Sequence, residues 1–207
     1  MMEKDRIKKM VAKSRVPVTR IFGLVMVLLL IFTGHSFENK ALIDILLELS
    51  GLFLLTLCSF GRIWALMYIS GHKSRQVITD GPYSMVCHPL YFFSAVGAVG
   101  IGLASENLLI LALIVVFYAV YYPFTILAEE AKLTVLFGKQ YEDYMKRTPR
   151  IIPKLSLYRE PEQVTVNTSA FVRNFVDGMW FIWIFLLMHF IEMLQESGHI
   201  PVLLRVP

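Results

Sequence analysis

The chain has 207 residues, of which 56% are hydrophobic and 17% are charged, whereas an ordinary soluble domain carries about 25% charged residues. Several apolar runs approach twenty residues, and too few polar residues remain to cover them in water. The composition therefore excludes a soluble globule and favours the lipid bilayer as solvent. The net charge of +4 comes from basic residues beside apolar runs, so nucleic acid is not expected as a partner.

The first apolar run covers residues 16–33 and follows a basic arm, residues 1–15. The cations of the arm are Lys4, Arg6, Lys8, Lys9, Lys13 and Arg15. No small-residue cleavage site closes the run and further runs follow, so it is predicted to be a retained first span rather than a signal peptide. The excess of positive charge places the N-terminus in the cytoplasm.

The second apolar run, residues 41–69, is longer than a hydrocarbon layer of about 30 Å requires, so this helix is expected to tilt or protrude. Asp44 and Glu48 lie near its outer end, and Arg62 lies near its inner end. Two interpretations of Arg62 remain open. In the first, its side chain has a structural role, either snorkelling to the interface or packing. In the second, it belongs to a functional site, as ionisable residues within spans often do.

A transmembrane hairpin is predicted next. Between Asp80 and Glu129 the only acidic or basic residue other than histidine is Glu106, and the polar break at 105–107 divides this stretch into two apolar helices. The first arm is rich in small residues, which allow helices to approach closely in lipid. The second arm contains Pro123, which is expected to kink the helix near the cytoplasmic interface.

The remaining segments complete the predicted topology. Residues 128–159 are rich in lysine and arginine and, with the loop at 70–84, are predicted to be cytoplasmic. The apolar stretch at 175–194 is expected either to cross outward or to lie in the interface. The fold class is thus all-α: a polytopic integral membrane protein with four to five transmembrane helices and a cytoplasmic amphipathic helical segment. Bacterial inner membrane and endoplasmic reticulum both fit.

The chain is read as a single membrane domain built from four consecutive segments. These are the basic arm (1–15), the first two spans (16–69), the hairpin with its cytoplasmic helix (70–155), and a linker with the C-terminal apolar helix (156–207).

Two polar clusters flank the hairpin at its cytoplasmic end. One reads DGPYSMVCHPLY at 80–91, and the other begins with Glu129 and Glu130 and ends at residue 153. Folding of the hairpin should bring His88 and Tyr91 close to the acidic pair. Each of these residues alone has an ordinary explanation, such as a helix start or a solvated face. Their convergence instead predicts a polar pocket at the membrane surface.

These motifs carry a resemblance to a known family. In order they read G-P-Y, H-P-x-Y, a small-residue hairpin, E-E, F-G-x-x-Y-x-x-Y and R-x-I-P, over about residues 61–155. The pattern resembles the isoprenylcysteine carboxyl methyltransferases and their relatives, the phospholipid methyltransferases. The resemblance implies an integral membrane enzyme that transfers a methyl group from S-adenosylmethionine to a membrane lipid or a lipidated substrate.

The resemblance also implies roles for particular residues. His88 and Glu130 are the catalytic candidates. The cofactor-binding candidates are Tyr83, His88, Tyr91, Gly100, Gly102, Glu129 and Glu130, and weaker substrate-binding candidates are Arg62, Tyr122 and Tyr144.

The residue types suit methyl transfer, which depends mainly on positioning and on exclusion of water. Carboxylates accept hydrogen bonds from ribose hydroxyls, and aromatic faces stabilise a sulfonium. The role of His88 depends on the acceptor, because an amine or thiol needs a proton acceptor and a carboxylate does not. No metal is expected, since His88 has only Cys87 as a neighbouring ligand type and no usual ligand spacing occurs.

Two positions depart from the carboxyl methyltransferases, which usually have arginine where this chain has Cys87 and Thr125. An arginine at the second position would bind a substrate carboxylate bidentately, so its absence leaves the acceptor open among a prenylcysteine carboxylate, a phospholipid amine and a small thiol. Two other functions stay open. One is an NADPH-dependent sterol-type reductase, although no Gly-rich phosphate loop is evident. The other is a non-catalytic membrane scaffold.

Overall fold

The computed structural model describes residues 2–35, 41–72 and 75–206. Residues 1, 36–40, 73, 74 and 207 lie outside the described residues, and 73 and 74 belong to the stretch predicted to be a cytoplasmic loop. The described elements are α1 (Met2–Phe32), β1 (Thr33–His35), α2 (Ala41–Ile69), α3 (Pro82–Met85), α4 (Pro89–Ala104), α5 (Leu108–Phe137), α6 (Lys139–Arg147), a short 3-10 helix (Leu155–Leu157), α7 (Thr168–Glu196) and β2 (Leu204–Val206).

The described helices confirm the all-α polytopic class. Three of them, over Leu42–Ile69, Leu108–Phe137 and Thr168–Gln195, are long and apolar enough to cross a membrane, and Pro17–Phe32 and Pro89–Ala104 are shorter apolar helices. Large apolar side chains on their outer faces are open to the surroundings; Phe53 and Phe60 are 66% and 68% exposed. Exposed apolar surface of this extent is what a lipid-facing helix presents.

The hairpin forms where the polar break predicts it. Pro89 occupies the first position of α4, where its missing N–H costs nothing, and His88 precedes it. Asn107 caps α5 by accepting hydrogen bonds from the backbone N–H groups of Leu109 (3.0 Å) and Ile110 (3.1 Å). Helices α4 and α5 pack against each other, so the start of α4 lies beside the part of α5 that carries Glu129 and Glu130.

The sequence predicts a polar segment from residue 128 onward, but α5 continues as one helix through Pro123 to Phe137. A proline within a membrane helix is tolerated when neighbouring groups satisfy the freed carbonyl. Glu129 and Glu130 consequently lie on the α5 helix itself. Gly138, with φ of 54°, then ends α5 and starts α6, because this left-handed conformation suits glycine.

Glycines set the close approach of α2 and α4. A Cβ at Gly51 would lie 2.6 Å from the backbone nitrogen of Ala104, and one at Gly97 would lie 2.5 Å from Sγ of Cys58. Because glycine has no Cβ, the two helix backbones pack at these points without an intervening side chain. Helix α2 also packs against α7, and α4 packs against α2, α5 and α7.

Replacing Gly51 with alanine is expected to lower the free energy of unfolding by about 1–2 kcal/mol, because overpacking costs about 1–3 kcal/mol and the better helix propensity of alanine returns part of it. The clash is with backbone atoms and cannot be relieved by a rotamer change. Gly23→Ala is the matched control, since nothing lies within 4 Å of the added Cβ. Thermal unfolding in detergent should show a lower midpoint for Gly51→Ala only.

The end of α7 lies beside the end of α1. Nε2 of Gln195 donates to the carbonyls of Leu30 (3.0 Å) and Ile31 (2.9 Å), and β1 pairs in parallel with β2. Helices α7 and α1 therefore end at the same side of the bundle. Helix α7 is long and apolar enough to cross a membrane.

Candidate active site

The predicted site lies where α4 begins and where α5 carries its acidic pair. Nε2 of His88 is 3.3 Å from Oε1 of Glu130, and the Tyr91 hydroxyl donates to Oε2 of Glu129 at 2.5 Å. His88 and Glu130 are both buried. The hairpin thus brings together the four residues whose proximity the sequence predicts.

Glu130 has a second partner that the sequence analysis missed. Nε of Arg150 lies 3.2 Å from the same Oε1 that contacts His88, and the Arg150 side chain is 58% exposed. The residue belongs to the R-x-I-P motif, but nothing in the sequence distinguishes it from the other cations of this segment. Glu130 therefore joins the hairpin to the chain that follows α6.

That following chain, residues 148–159, forms a strap across the loop at 81–87. Three backbone hydrogen bonds join strap and loop: Cys87 N–H to Pro149 O (2.8 Å), Lys154 N–H to Met85 O (3.0 Å) and Gly81 N–H to Arg159 O (2.8 Å). In addition, the Tyr144 hydroxyl of α6 donates to the carbonyl of Tyr83 at 2.7 Å. These bonds hold in place the loop that carries Tyr83 and that leads directly into His88.

A cavity of about 350 Å³ opens between α1, α2, α4 and α5 at this end, within the usual range for small-molecule sites. Six predicted site residues line it: Arg62, Tyr83, His88, Tyr91, Tyr122 and Glu129. A smaller cavity of about 90 Å³ shares Tyr83, Cys87 and Glu129 with it and is also lined by Tyr144. Glu130 lies behind His88 rather than in the lining of either cavity.

The structure places Gly100 and Gly102 away from this cavity. They lie 12 and 14 residues beyond His88, which is about 18–21 Å along the axis of α4 at a rise of 1.5 Å per residue. A Cβ at Gly100 would lie 3.0 Å from the carbonyl oxygen of Gly51, and one at Gly102 would lie 2.9 Å from Cα of Leu111. Helix packing accounts for both glycines, and neither lines the 350 Å³ cavity.

Charges of opposite sign act on the cavity. Burial raises the pKa of the Tyr83 hydroxyl, the Glu129 carboxylate raises it further, and the Arg62 guanidinium opposes them. Tyr83 therefore stays protonated. Its hydroxyl is buried without a hydrogen-bond partner in the described part of the chain.

Aromatic rings form much of the wall beside the carboxylate. The Tyr91 ring meets Tyr122 edge to face at 5.7 Å, and Tyr122 stacks on Tyr118 at 3.5 Å. The Tyr118 hydroxyl donates to the carbonyl of Tyr91 at 3.4 Å. Tyr118 and the cavity-lining Tyr121 were not among the predicted site residues, because helix rotation decides which tyrosines of this run face inward.

The two positions that depart from the carboxyl methyltransferases both line the cavity. Sγ of Cys87 donates to the carbonyl of Thr148 at 3.2 Å, and the Thr125 hydroxyl donates to the carbonyl of Tyr121 at 3.3 Å. Neither position contributes a positive charge. In this part of the wall the cation comes from Arg62 on α2 instead.

Burial raises the pKa of the Cys87 thiol to about 11 from an ordinary value of 9.0, and the Glu130 carboxylate acts in the same direction. At pH 8 the thiolate fraction is then about 100-fold smaller than that of an ordinary cysteine. In a Cys58→Ser background, iodoacetamide should label native protein at least about 100-fold more slowly than denatured protein. Equal rates would contradict the burial of Cys87.

The same shift carries a stability effect. Because the folded pKa lies above the unfolded one, the buried thiol stabilises the fold below pH 9, and this contribution is lost as the pH rises to about 11.

Geometry and composition define an integral membrane protein with a buried polar site at one end of a helical hairpin. Residues 45–140 match the family model described as phospholipid methyltransferase, and this stretch contains both arms of the hairpin and the acidic pair. The chain belongs to the family of the NccN and CzcN relatives described below, and its residues 45–140 are similar to the phospholipid methyltransferases. No solved structure matches the chain.

Two relatives match almost the whole chain. The nickel-cobalt-cadmium resistance protein NccN of Alcaligenes xylosoxydans xylosoxydans is 34% identical over 94% of this chain and 91% of its own length. The cobalt-zinc-cadmium resistance protein CzcN of Cupriavidus metallidurans is 33% identical over 90% of this chain and 85% of its own length. The protein-S-isoprenylcysteine O-methyltransferase of Schizosaccharomyces pombe is 33% identical over 40% of this chain and 35% of its own length.

Among the described residues, no group of three or more His, Cys, Asp or Glu side chains is placed to hold a metal ion.

Proposed function

We propose that the protein is an S-adenosylmethionine-dependent membrane methyltransferase whose cofactor occupies the 350 Å³ cavity. One observation carries the proposal. The hairpin brings the Tyr91–Glu129 and His88–Glu130 pairs together at a cavity of suitable size, within the stretch that matches the methyltransferase family model. The match to this family model favours methyl transfer over the activity of an NADPH-dependent sterol-type reductase.

Residues of the cavity wall have distinct parts in this proposal. Glu129 accepts hydrogen bonds from ribose hydroxyls, and the Tyr91 hydroxyl holds its carboxylate in place. The faces of Tyr83, Tyr91 and Tyr122 attract the positive sulfonium. When bound, the cofactor supplies the activated methyl group, and the surrounding helices keep water out.

His88 is the residue proposed to contact the reacting groups, and Glu130 positions it. If Nε2–H donates to the Glu130 carboxylate, Nδ1 is the unprotonated nitrogen that can accept a proton from an amine or thiol acceptor. An acceptor carboxylate needs no such step. Tyr144 acts indirectly in this scheme, because it holds the Tyr83 loop through its carbonyl.

The acceptor is proposed to be a lipid or a lipidated molecule that enters from the bilayer. The positive-inside distribution of basic residues supports a cytoplasmic location for this end of the hairpin. Both long-matching relatives are bacterial, which favours the bacterial inner membrane as the compartment. Because those relatives are named for metal resistance, we infer that the proposed methyl transfer takes part in metal resistance.

Ligand binding tests the proposal. S-adenosylmethionine or S-adenosylhomocysteine at 100 times its Kd should stabilise the detergent-purified protein by about 2.7 kcal/mol, and NADPH should not. Glu129→Gln should weaken cofactor binding by at least about tenfold, because a charge-assisted hydrogen bond is lost. Glu142→Gln, which changes an exposed carboxylate of α6, is the matched control. Stabilisation by NADPH alone would favour the reductase, and none in folded protein would favour the scaffold.

A further inference from the structure

Arg62 lies within the α2 span, seven residues before its end at Ile69 and about 10 Å from it along the axis. A charged side chain inside a span is costly and marks a functional site by default. Arg62 does not snorkel to the helix end. Nη1 donates to the Ser94 hydroxyl, the guanidinium lies 5.6 Å from the ring centroid of Phe181, and the residue lines the 350 Å³ cavity.

Within the described part of the chain, Arg62 forms no ion pair. In the described ranges, no carboxylate lies within 4.0 Å of its guanidinium, and its buried Nε has no hydrogen-bond partner. Ser94 is a neutral acceptor whose own proton goes to the carbonyl of Leu90 at 2.7 Å. A hydroxyl and an aromatic ring reduce the cost of burying the cation but form no ion pair with it. Glu129 lines the same cavity but lies more than 4.0 Å from the guanidinium, so an anion in direct contact with Arg62 is favoured.

Two further unpartnered donors line the same cavity. The hydroxyls of Tyr83 and Tyr121 are buried and make no hydrogen bond within the described part of the chain. Together with Nε of Arg62 they present three donor groups and one positive charge. An oxyanion is the ligand group that matches them, because it only accepts hydrogen bonds and carries the opposite charge.

We propose that Arg62, Tyr83 and Tyr121 form an oxyanion subsite that holds the carboxylate or phosphate group of a ligand in the cavity. The subsite supplies, from α2, a positive charge that is missing at Cys87 and Thr125. Two sources of the anion share this chemistry: the carboxylate of the cofactor, and the anionic headgroup of a membrane-borne acceptor. Its part in methyl transfer rests on the proposed function, but its binding of an oxyanion can be measured without turnover.

The test compares charged and uncharged probes on the full chain in neutral detergent. The pairs are S-adenosylmethionine with its decarboxylated form, oleate with methyl oleate, and phosphatidic acid with diacylglycerol. Wild-type protein should bind the anionic member of at least one pair about 10- to 100-fold more tightly, and Arg62→Gln should remove this preference. Arg173→Gln, which changes an exposed cation outside the cavity, should keep it.

Each outcome has one meaning. A preference in the cofactor pair identifies the cofactor carboxylate as the anion, and one in a lipid pair identifies the acceptor. No preference in wild-type protein, or the same preference in folded Arg62→Gln, overturns the subsite. If Arg62→Gln does not fold, Arg62→Lys and Tyr121→Phe carry the test, and both should weaken the preference while retaining part of it.

The two proposals can fail separately. An Arg62-dependent preference for oleate or phosphatidic acid, in protein that binds neither adenosyl compound, leaves the subsite standing and removes the methyltransferase. Binding of S-adenosylhomocysteine with no preference that depends on Arg62 overturns the subsite and leaves the methyltransferase proposal standing.

Discussion

With an amine or thiol acceptor, replacing Glu130 with glutamine is expected to lower kcat for methyl transfer by at least about 100-fold, because His88 loses its effect as an acid–base residue when its orientation and protonation are no longer controlled. The Glu130 carboxylate is buried and contacts Nε2 of His88 at 3.3 Å. Since Glu130 lies outside the cavity lining, KM for S-adenosylmethionine should change by less than about threefold. Both quantities are measured in isolated membranes of expressing cells, by following the incorporation of labelled methyl groups at varied S-adenosylmethionine concentrations with a quantified amount of enzyme.

Variants of the neighbouring residues separate orientation of His88 from a general structural role. Glu130→Asp keeps the charge and should retain part of the activity. Arg150→Gln should cost less than about tenfold, because its side chain is 58% exposed and His88 keeps its partner. Equal losses for Arg150→Gln and Glu130→Gln would show that activity requires the ion pair between Glu130 and Arg150 of the strap, rather than the orientation of His88.

Tyr144→Phe is expected to lower the free energy of unfolding of the unliganded protein by about 1–3 kcal/mol, because it leaves the buried carbonyl of Tyr83 without its donor. The hydroxyl donates to that carbonyl at 2.7 Å, and Tyr144 is 2% exposed. Burial raises the pKa of Tyr144, so its hydroxyl remains a donor. Thermal unfolding in detergent without ligand provides the comparison.

Tyr141 is a matched control on the same helix. It is 3% exposed, and its buried hydroxyl has no hydrogen-bond partner in the described ranges. Tyr141→Phe should therefore leave the unliganded stability unchanged or slightly increase it, since an unsatisfied polar group is removed. A loss as large as that of Tyr144→Phe would contradict the assignment of the hydrogen bond to Tyr83.

The architecture of the spans was readable from the sequence. Apolar length, basic flanks and local capping residues such as Pro89 and Asn107 act within one segment, so they reveal helices and the hairpin turn directly. The hairpin in turn determines that His88 and Tyr91 face the acidic pair. That part of the site follows from connectivity together with the side-by-side packing of the two arms, which a membrane-spanning hairpin implies.

Only the tertiary structure decided the contacts between elements that are distant in the sequence. The ion pair of Glu130 with Arg150, the bond of Arg62 to Ser94 on α4, and the packing of Gly100 against α2 each depend on the rotation and approach of whole helices. Sequence periodicity gives the face of a helix but not its rotation against several neighbours when all its faces are apolar. In lipid the exposed and buried faces have similar composition, so pattern alone cannot assign them.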